Sequence, residues 1–76
     1  MFDLYILETC PYCRKVMSFF DENNIEYNKK NIADKTNRDE LMKLGGHEQV
    51  PFLFDTQKSN GMYESDDIIK YAMSRG

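Results

Sequence analysis

The chain has 76 residues, of which 41% are hydrophobic, and a formal net charge of −3. This length predicts one small domain over residues 1–76. The composition argues against disorder, no apolar stretch is long enough to span a membrane, and the interleaved charges form no basic surface for nucleic acid. Met1-Phe2-Asp3 does not resemble the start of a secretory signal peptide, so we expect a cytoplasmic protein.

The first predicted elements are a strand, a helix and a second strand. Residues 4–7 are apolar throughout, as in a central strand with both faces covered. The helix that follows ends near residues 21–24. Its broad apolar face contains Val16, Met17, Phe19 and Phe20. Alternating apolar and polar residues over 25–29 predict an edge strand.

A second helix is predicted next. Thr36 or Asn37 is its candidate N-cap, with Asp39 or Glu40 placed to complete a capping box. The glycine pair at 45–46 ends this helix. Its predicted buried stripe consists of Leu41, Met42 and Leu44.

The remaining elements are a hairpin and a last helix. Residues 50–54 predict a strand that begins with a proline, and the polar loop 55–61 leads into a strand at 62–63. Ser65 is the candidate N-cap of the last helix. Its predicted apolar face consists of Ile68, Ile69, Ala72 and Met73. The resulting order is β-α-β-α-β-β-α.

The segment with the most chemical content is Cys10-Pro11-Tyr12-Cys13, at the junction of the first strand and the first helix. Two cysteines with this spacing, in this context, are typical of a thioredoxin-like redox site. At a helix N-terminus, free backbone N–H groups and the helix dipole would favour the thiolate of Cys10, the form that attacks disulfides. Cys13 lies on the same helical face, where it could act as the resolving thiol.

Three other interpretations of the cysteine pair stay open. A zinc site needs about four ligands, and the chain offers two cysteines and the lone His47, so we expect no metal. A structural disulfide would close a very short loop and gain little stability from it. Two inert buried thiols fit poorly with a position at the start of a helix.

Three segments of the chain together resemble a dithiol glutaredoxin. They are Thr9-Cys10-Pro11-Tyr12-Cys13, Val50-Pro51 and Ser65-Asp66-Asp67. The resemblance extends over essentially the whole chain in the same element order. It implies an α/β thioredoxin fold with a four-stranded mixed sheet and three helices. It also implies a groove for glutathione, the co-substrate, where the three segments meet, and we expect a monomer.

The resemblance also implies what individual residues do. Cys10 would be the nucleophile, and Cys13 the resolving thiol, of a glutathione-dependent oxidoreductase. Its substrates would be protein–glutathione mixed disulfides and protein disulfides. Val50–Pro51 would be a cis peptide, with the Val50 backbone paired to the cysteinyl unit of glutathione as in strand addition. The alternative for Pro51 is an ordinary proline at the start of a strand.

Further ligand contacts are implied at the last helix. Its N-terminus and the Ser65 hydroxyl would receive the γ-glutamyl carboxylate, while Asp66 or Asp67 would meet the α-ammonium group. A simple helix cap is the alternative. Tyr12 would pack against the bound tripeptide, and Gln49 stands where the family often has threonine.

Two departures from the family pattern bear on the preference for glutathione. Glutaredoxins commonly carry a lysine shortly before the nucleophilic cysteine. This chain has none there, and Arg14 or Arg38 is the candidate replacement. Residues 62–65 replace the usual glycine pair before the last helix. Within them, Glu64-Ser65 resembles the N-terminal domain of glutathione transferases, which has the same fold.

Two alternatives for the function follow. The first is a glutaredoxin-like electron donor that thioredoxin reductase reduces, for example one that serves ribonucleotide reductase or another reductase. The second is a module that holds an iron–sulfur cluster or zinc between two copies of the domain. A preference for one reductant would identify the first, and visible absorbance the second. Both intact cysteines argue against a non-catalytic adaptor.

Overall fold

A computed structural model describes residues 1–75. The elements in chain order are β1 (Phe2–Ile6), α1 (Pro11–Glu22), β2 (Tyr27–Asn31), α2 (Lys35–Gly45), β3 (Phe52–Asp55), β4 (Asn60–Tyr63) and α3 (Ser65–Arg75). This is the predicted order. The four strands form one sheet in the order β2-β1-β3-β4. Strand β1 pairs parallel with β2 and antiparallel with β3, and β3 pairs antiparallel with β4, which is the thioredoxin fold.

Strand β1 is interior and apolar on both faces because each face of the sheet has its own core. Leu4 and Ile6 belong to the core that α1 and α3 cover. Tyr5, which points to the opposite face, packs with Leu41 of α2 and with Phe52. Alternate residues of a strand face opposite sides, so burial of three successive residues requires helices on both. The predicted central strand is therefore confirmed.

Strand β2 is an edge strand, as predicted, but it begins at Tyr27 rather than at residue 25. The N–H of Ile25 donates to the Phe20 carbonyl oxygen at 2.8 Å and so closes the end of α1. Asn24, with φ 54°, makes the left-handed turn that permits this bond. The backbone N–H of Ile25 is therefore part of the C-terminal end of α1, and the strand begins two residues later.

The N-cap of α2 is Asp34, so the prediction of Thr36 or Asn37 is wrong. Asp34 has an extended backbone, and its carboxylate accepts a hydrogen bond from the Thr36 N–H at 2.8 Å. Its carbonyl oxygen accepts the first helical bond, from the Arg38 N–H, at 3.0 Å. Thr36 and Asn37 therefore lie inside the first turn, where Thr36 supplies the donor and not the cap.

The predicted apolar faces of α2 and α3 are too wide. Met42 and Leu44 are 44% and 43% exposed, and Met73 is 64% exposed. Met42 and Met73 each directly follow a buried residue and are rotated by about 100° from it, away from the sheet. Leu44 is exposed although it lies three residues after the buried Leu41. Only Leu41 of α2 is fully buried, whereas Ile68 and Ala72, one turn apart, form the buried face of α3.

The longest helix in the described part of the chain, α1, has 12 residues. None of the helices within residues 1–75 has the length and apolar character that a membrane crossing requires.

Candidate active site

Cys10 occupies the predicted position at the N-terminus of α1. It has an extended backbone, with φ −82° and ψ 119°, and Pro11 is the first helical residue. The Cys10 carbonyl oxygen accepts the first helical bond, from the Arg14 N–H, at 3.1 Å. The Cys10 side chain is partly exposed and makes no capping hydrogen bond. Cys10 therefore lies, partly exposed, at the positive end of the helix dipole.

Cys13 differs sharply from Cys10 in its surroundings. It is fully buried in the core beneath α1 and α3. Burial raises the pKa of the Cys13 thiol to about 12; a backbone hydrogen bond with Leu7 lowers it, and the hydrogen bond and charge of Cys10 raise it. At neutral pH Cys13 is therefore a protonated thiol without access to solvent. The two free cysteines therefore differ in exposure: Cys10 is partly exposed, and Cys13 is buried.

A groove of ≈ 340 Å³ brings together the residues that the sequence predicted as glutathione ligands. They come from the start of α1, from the segment before β3 and from the start of α3. The lining residues are Tyr12, Gln49, Val50, Pro51, Glu64, Ser65 and Asp66. The two cysteines do not line this groove, but one of its lining residues, Tyr12, follows Cys10 by two positions in the chain.

The peptide bond between Val50 and Pro51 is cis, as the resemblance implies. Strand β3 starts at the next residue, Phe52. Within residues 1–75, no intrachain hydrogen bond uses the N–H or the carbonyl of Val50. Both groups are therefore available to an extended peptide lying in the groove.

Ser65 is the first residue of α3 and not its N-cap, so that prediction is wrong by one position. The reason is that the carbonyl oxygen of Glu64 accepts the first helical bond, from the Ile68 N–H, at 3.0 Å. Glu64 stands outside the helix with φ 71°. The N–H groups in the first turn of a helix have no partners within that helix. Because Ser65 and Asp66 line the groove, the first turn of α3 lies along it. Ser65 itself is largely buried.

Glu64 is the groove residue that the predicted ligand set omitted. A non-glycine residue at φ 71° is uncommon, and such positions occur often at functional sites. The available signal was the Glu64-Ser65 pair, which resembles the glutathione transferase domain. The side chain of Glu64 is exposed.

Neither candidate replacement for the missing lysine lines the groove. The Arg14 Nε atom donates to the Glu8 carbonyl oxygen at 2.9 Å, and the Arg38 Nε atom lies 3.7 Å from Glu48 Oε1. The lining residues therefore include two carboxylates and no basic side chain. In the described part of the chain, no group of three or more His, Cys, Asp or Glu residues is placed to hold a metal ion.

Comparison with known families gives a match over nearly the whole chain. The profile of the family described as glutathione S-transferase, N-terminal domain, matches residues 4–75. Glutaredoxin 1 of Rickettsia felis is 33% identical over 54 residues, which cover 67% of this chain and 53% of that protein. Glutaredoxin 3 of Escherichia coli K12 is 30% identical over 61 residues, which cover 78% of this chain and 74% of that protein.

A solved structure gives the same result. Glutaredoxin 2 from Salmonella typhimurium, in complex with glutathione, aligns with a TM-score of 0.77 at 29% identity, over 93% of this chain and 32% of that chain. The present chain spans about half the length of the Rickettsia glutaredoxins that it matches. The chain therefore belongs to the family of glutathione S-transferase N-terminal domains, as a glutaredoxin-like protein with the thioredoxin fold.

Proposed function

We propose that this chain is a glutathione-dependent thiol–disulfide oxidoreductase. Its substrates are protein–glutathione mixed disulfides and protein disulfides. The observation that carries the proposal is a single groove that collects Tyr12, Val50–Pro51, Ser65 and Asp66 next to the helix start that presents Cys10. The glutaredoxin relatives support a thiol oxidoreductase role.

The cysteinyl and γ-glutamyl units of glutathione each have a matching group in the groove. The cysteinyl unit pairs with the free N–H and carbonyl of Val50, which directs its sulfur towards Cys10. The γ-glutamyl carboxylate binds the first turn of α3 and the Ser65 hydroxyl, since a helix N-terminus favours an anion. Asp66 accepts the α-ammonium group, and Tyr12 packs along the peptide.

The first reaction removes glutathione from a protein. The Cys10 thiolate attacks the glutathione sulfur of the mixed disulfide, the protein thiolate leaves, and Cys10 carries the glutathionyl group. A second glutathione thiolate then attacks that sulfur and expels the Cys10 thiolate, forming oxidised glutathione. In the net reaction one free glutathione reduces the mixed disulfide to the protein thiol, the other half of the oxidised glutathione comes from the substrate, and Cys13 takes no part.

The second reaction reduces a disulfide within a protein. The Cys10 thiolate forms a mixed disulfide with one substrate sulfur and releases the other. The Cys13 thiol then loses its proton and attacks the Cys10 sulfur, which frees the second substrate thiolate and leaves a Cys10–Cys13 disulfide. Two glutathione molecules restore the dithiol. Because Cys13 is buried with a raised pKa, it reacts only with the neighbouring Cys10 sulfur.

The test is NADPH-linked reduction of a glutathionylated peptide by the purified protein. One reaction receives glutathione and glutathione reductase, and the other receives thioredoxin reductase alone. The proposal predicts turnover in the first reaction. Turnover confined to the second reaction would contradict the use of glutathione.

One observation favours a second candidate, an electron donor that thioredoxin reductase reduces. The groove lining contains no basic side chain, although glutathione carries a glycyl carboxylate that a cation would bind well. In that case the same cysteines would act on protein disulfides, and the groove would contact the partner's polypeptide. The parallel reactions distinguish the two candidates.

A further inference from the structure

One tyrosine hydroxyl connects two chain segments that each lead into lining residues of the groove. The Tyr63 hydroxyl, at the end of β4, donates to the His47 carbonyl oxygen at 2.8 Å. The Tyr63 hydroxyl oxygen also accepts a hydrogen bond from the His47 N–H at 3.2 Å. Both backbone groups of a loop residue are thus satisfied by one side chain 16 residues away.

The surrounding residues are arranged around this hydroxyl. The Tyr63 ring packs on Phe52, with ring centroids 4.7 Å apart. A Cβ atom at Gly45 would collide with the Tyr63 hydroxyl oxygen, so the hydroxyl can occupy this place only while residue 45 has no side chain. Gly46 adopts φ 83° and ends α2, which turns the chain towards His47. The glycine pair therefore leaves room for the hydroxyl as well as ending the helix.

We propose that Tyr63 is a positioning residue for the glutathione groove. His47 lies three residues before Val50, which supplies one wall, and Tyr63 directly precedes Glu64 and Ser65, which supply the other. The two hydrogen bonds keep these walls at a constant separation, so that the Val50 backbone and the first turn of α3 hold one glutathione molecule at once. This role rests on the proposed function.

The test compares Tyr63→Phe with the unaltered protein in the glutathione-coupled assay. The variant keeps the ring on Phe52 and loses both hydrogen bonds. We expect the KM for the glutathionylated peptide to rise about tenfold, the effect of losing one to two ordinary hydrogen bonds, with kcat changed less than about twofold. Amide hydrogen exchange at His47 should accelerate. Gly45→Ala, which displaces the hydroxyl, should raise the KM in the same way.

The matched control is Tyr71→Phe. It removes a hydroxyl that donates to the buried Asp55 at 2.7 Å, and Tyr71 does not line the groove. It should lower the melting temperature and leave the KM unchanged. An unchanged KM in Tyr63→Phe, or an equal rise in both variants, would overturn the positioning role while the proposed function stands. Absence of glutathione-dependent turnover in the unaltered protein would overturn both.

Discussion

The Lys15 Nζ atom lies 2.9 Å from the Asp66 Oδ1 atom, and this ion pair joins α1, which follows Cys10 and contains Cys13, to α3, which begins at the groove. The two side chains are 53% and 77% exposed, so the pair contributes little to stability. The hydrogen bond and charge of Lys15 lower the pKa of Asp66. Asp66 is therefore a carboxylate at neutral pH, and its Oδ1 atom is paired with Lys15. Under the proposed function, Lys15 would compete with the α-ammonium group of glutathione for this carboxylate.

Replacing Lys15 by glutamine should strengthen the binding of glutathionylated substrate. The substitution removes a cation that competes for Asp66, so we expect the KM to fall about two- to fivefold, the range for an exposed ion pair. The pKa of Asp66 should rise towards its usual range in the same variant. Steady-state kinetics and NMR titration of the carboxyl carbon measure these two effects.

The matched control is Lys35→Gln. It breaks the exposed ion pair between Lys35 and Asp39, at 2.7 Å, which lies outside the groove. Its KM should not change. A higher KM in Lys15→Gln would contradict the account, because it would mean that Lys15 attracts the anionic ligand instead of competing with it.

The buried thiol of Cys13 should make the protein less stable in alkaline solution. A thiol with the ordinary pKa of 9.0 loses its proton in the unfolded chain, whereas the folded protein holds it up to about 12. Between these values the unfolded state binds fewer protons, so the free energy of unfolding falls as the pH rises. Urea denaturation of the reduced protein from pH 8 to about 11 measures the decline.

Cys13→Ser provides the comparison, since serine does not titrate in this range. The free energy of unfolding of this variant should decline less steeply above pH 9.0 than that of the parent. Parallel curves for the two proteins would contradict a raised pKa at Cys13. Other groups that titrate in alkaline solution are common to both proteins and do not affect their difference.

Asp34→Ala should destabilise the protein by about 1 kcal/mol, the usual effect of losing an N-cap side chain. The Asp34 carboxylate accepts the Thr36 N–H of the first turn, and alanine cannot replace that bond. Thr36→Ala is the informative control because the sequence alone favoured Thr36 as the cap. We expect it to change the free energy of unfolding by less than about 0.5 kcal/mol. A larger loss in Thr36→Ala than in Asp34→Ala, by urea denaturation, would contradict the assignment.

The sequence predicted the fold and the cysteine site well because their signals are local. Cys10 and Cys13 lie within one turn of a helix whose start Pro11 marks, and the strand before it is apolar over consecutive residues. The groove was anticipated through the resemblance, since Val50–Pro51 and Ser65 occur in motifs of the family. Each of these motifs consists of residues close together in the chain.

The features that the sequence did not predict depend on contacts between distant segments. The two hydrogen bonds between Tyr63 and His47 join residues 16 positions apart, and no pattern in either segment indicates them. Glu64 lines the groove, and the sequence pattern placed the N-cap of α3 one residue too late, at Ser65 instead of Glu64. Exposure of Met73 also escaped prediction, because helical periodicity identifies apolar residues but does not show whether another element covers them.

The central claim is that the partly exposed Cys10 is the nucleophile and the buried Cys13 only resolves the mixed disulfide that Cys10 forms. The most direct measurement is glutathione-coupled reduction of a glutathionylated peptide by the parent protein, Cys10→Ser and Cys13→Ser in parallel. The account predicts no activity for Cys10→Ser and retained activity for Cys13→Ser, which should fail only on protein disulfides. Residual turnover by Cys10→Ser, or equal loss in both variants, would contradict it.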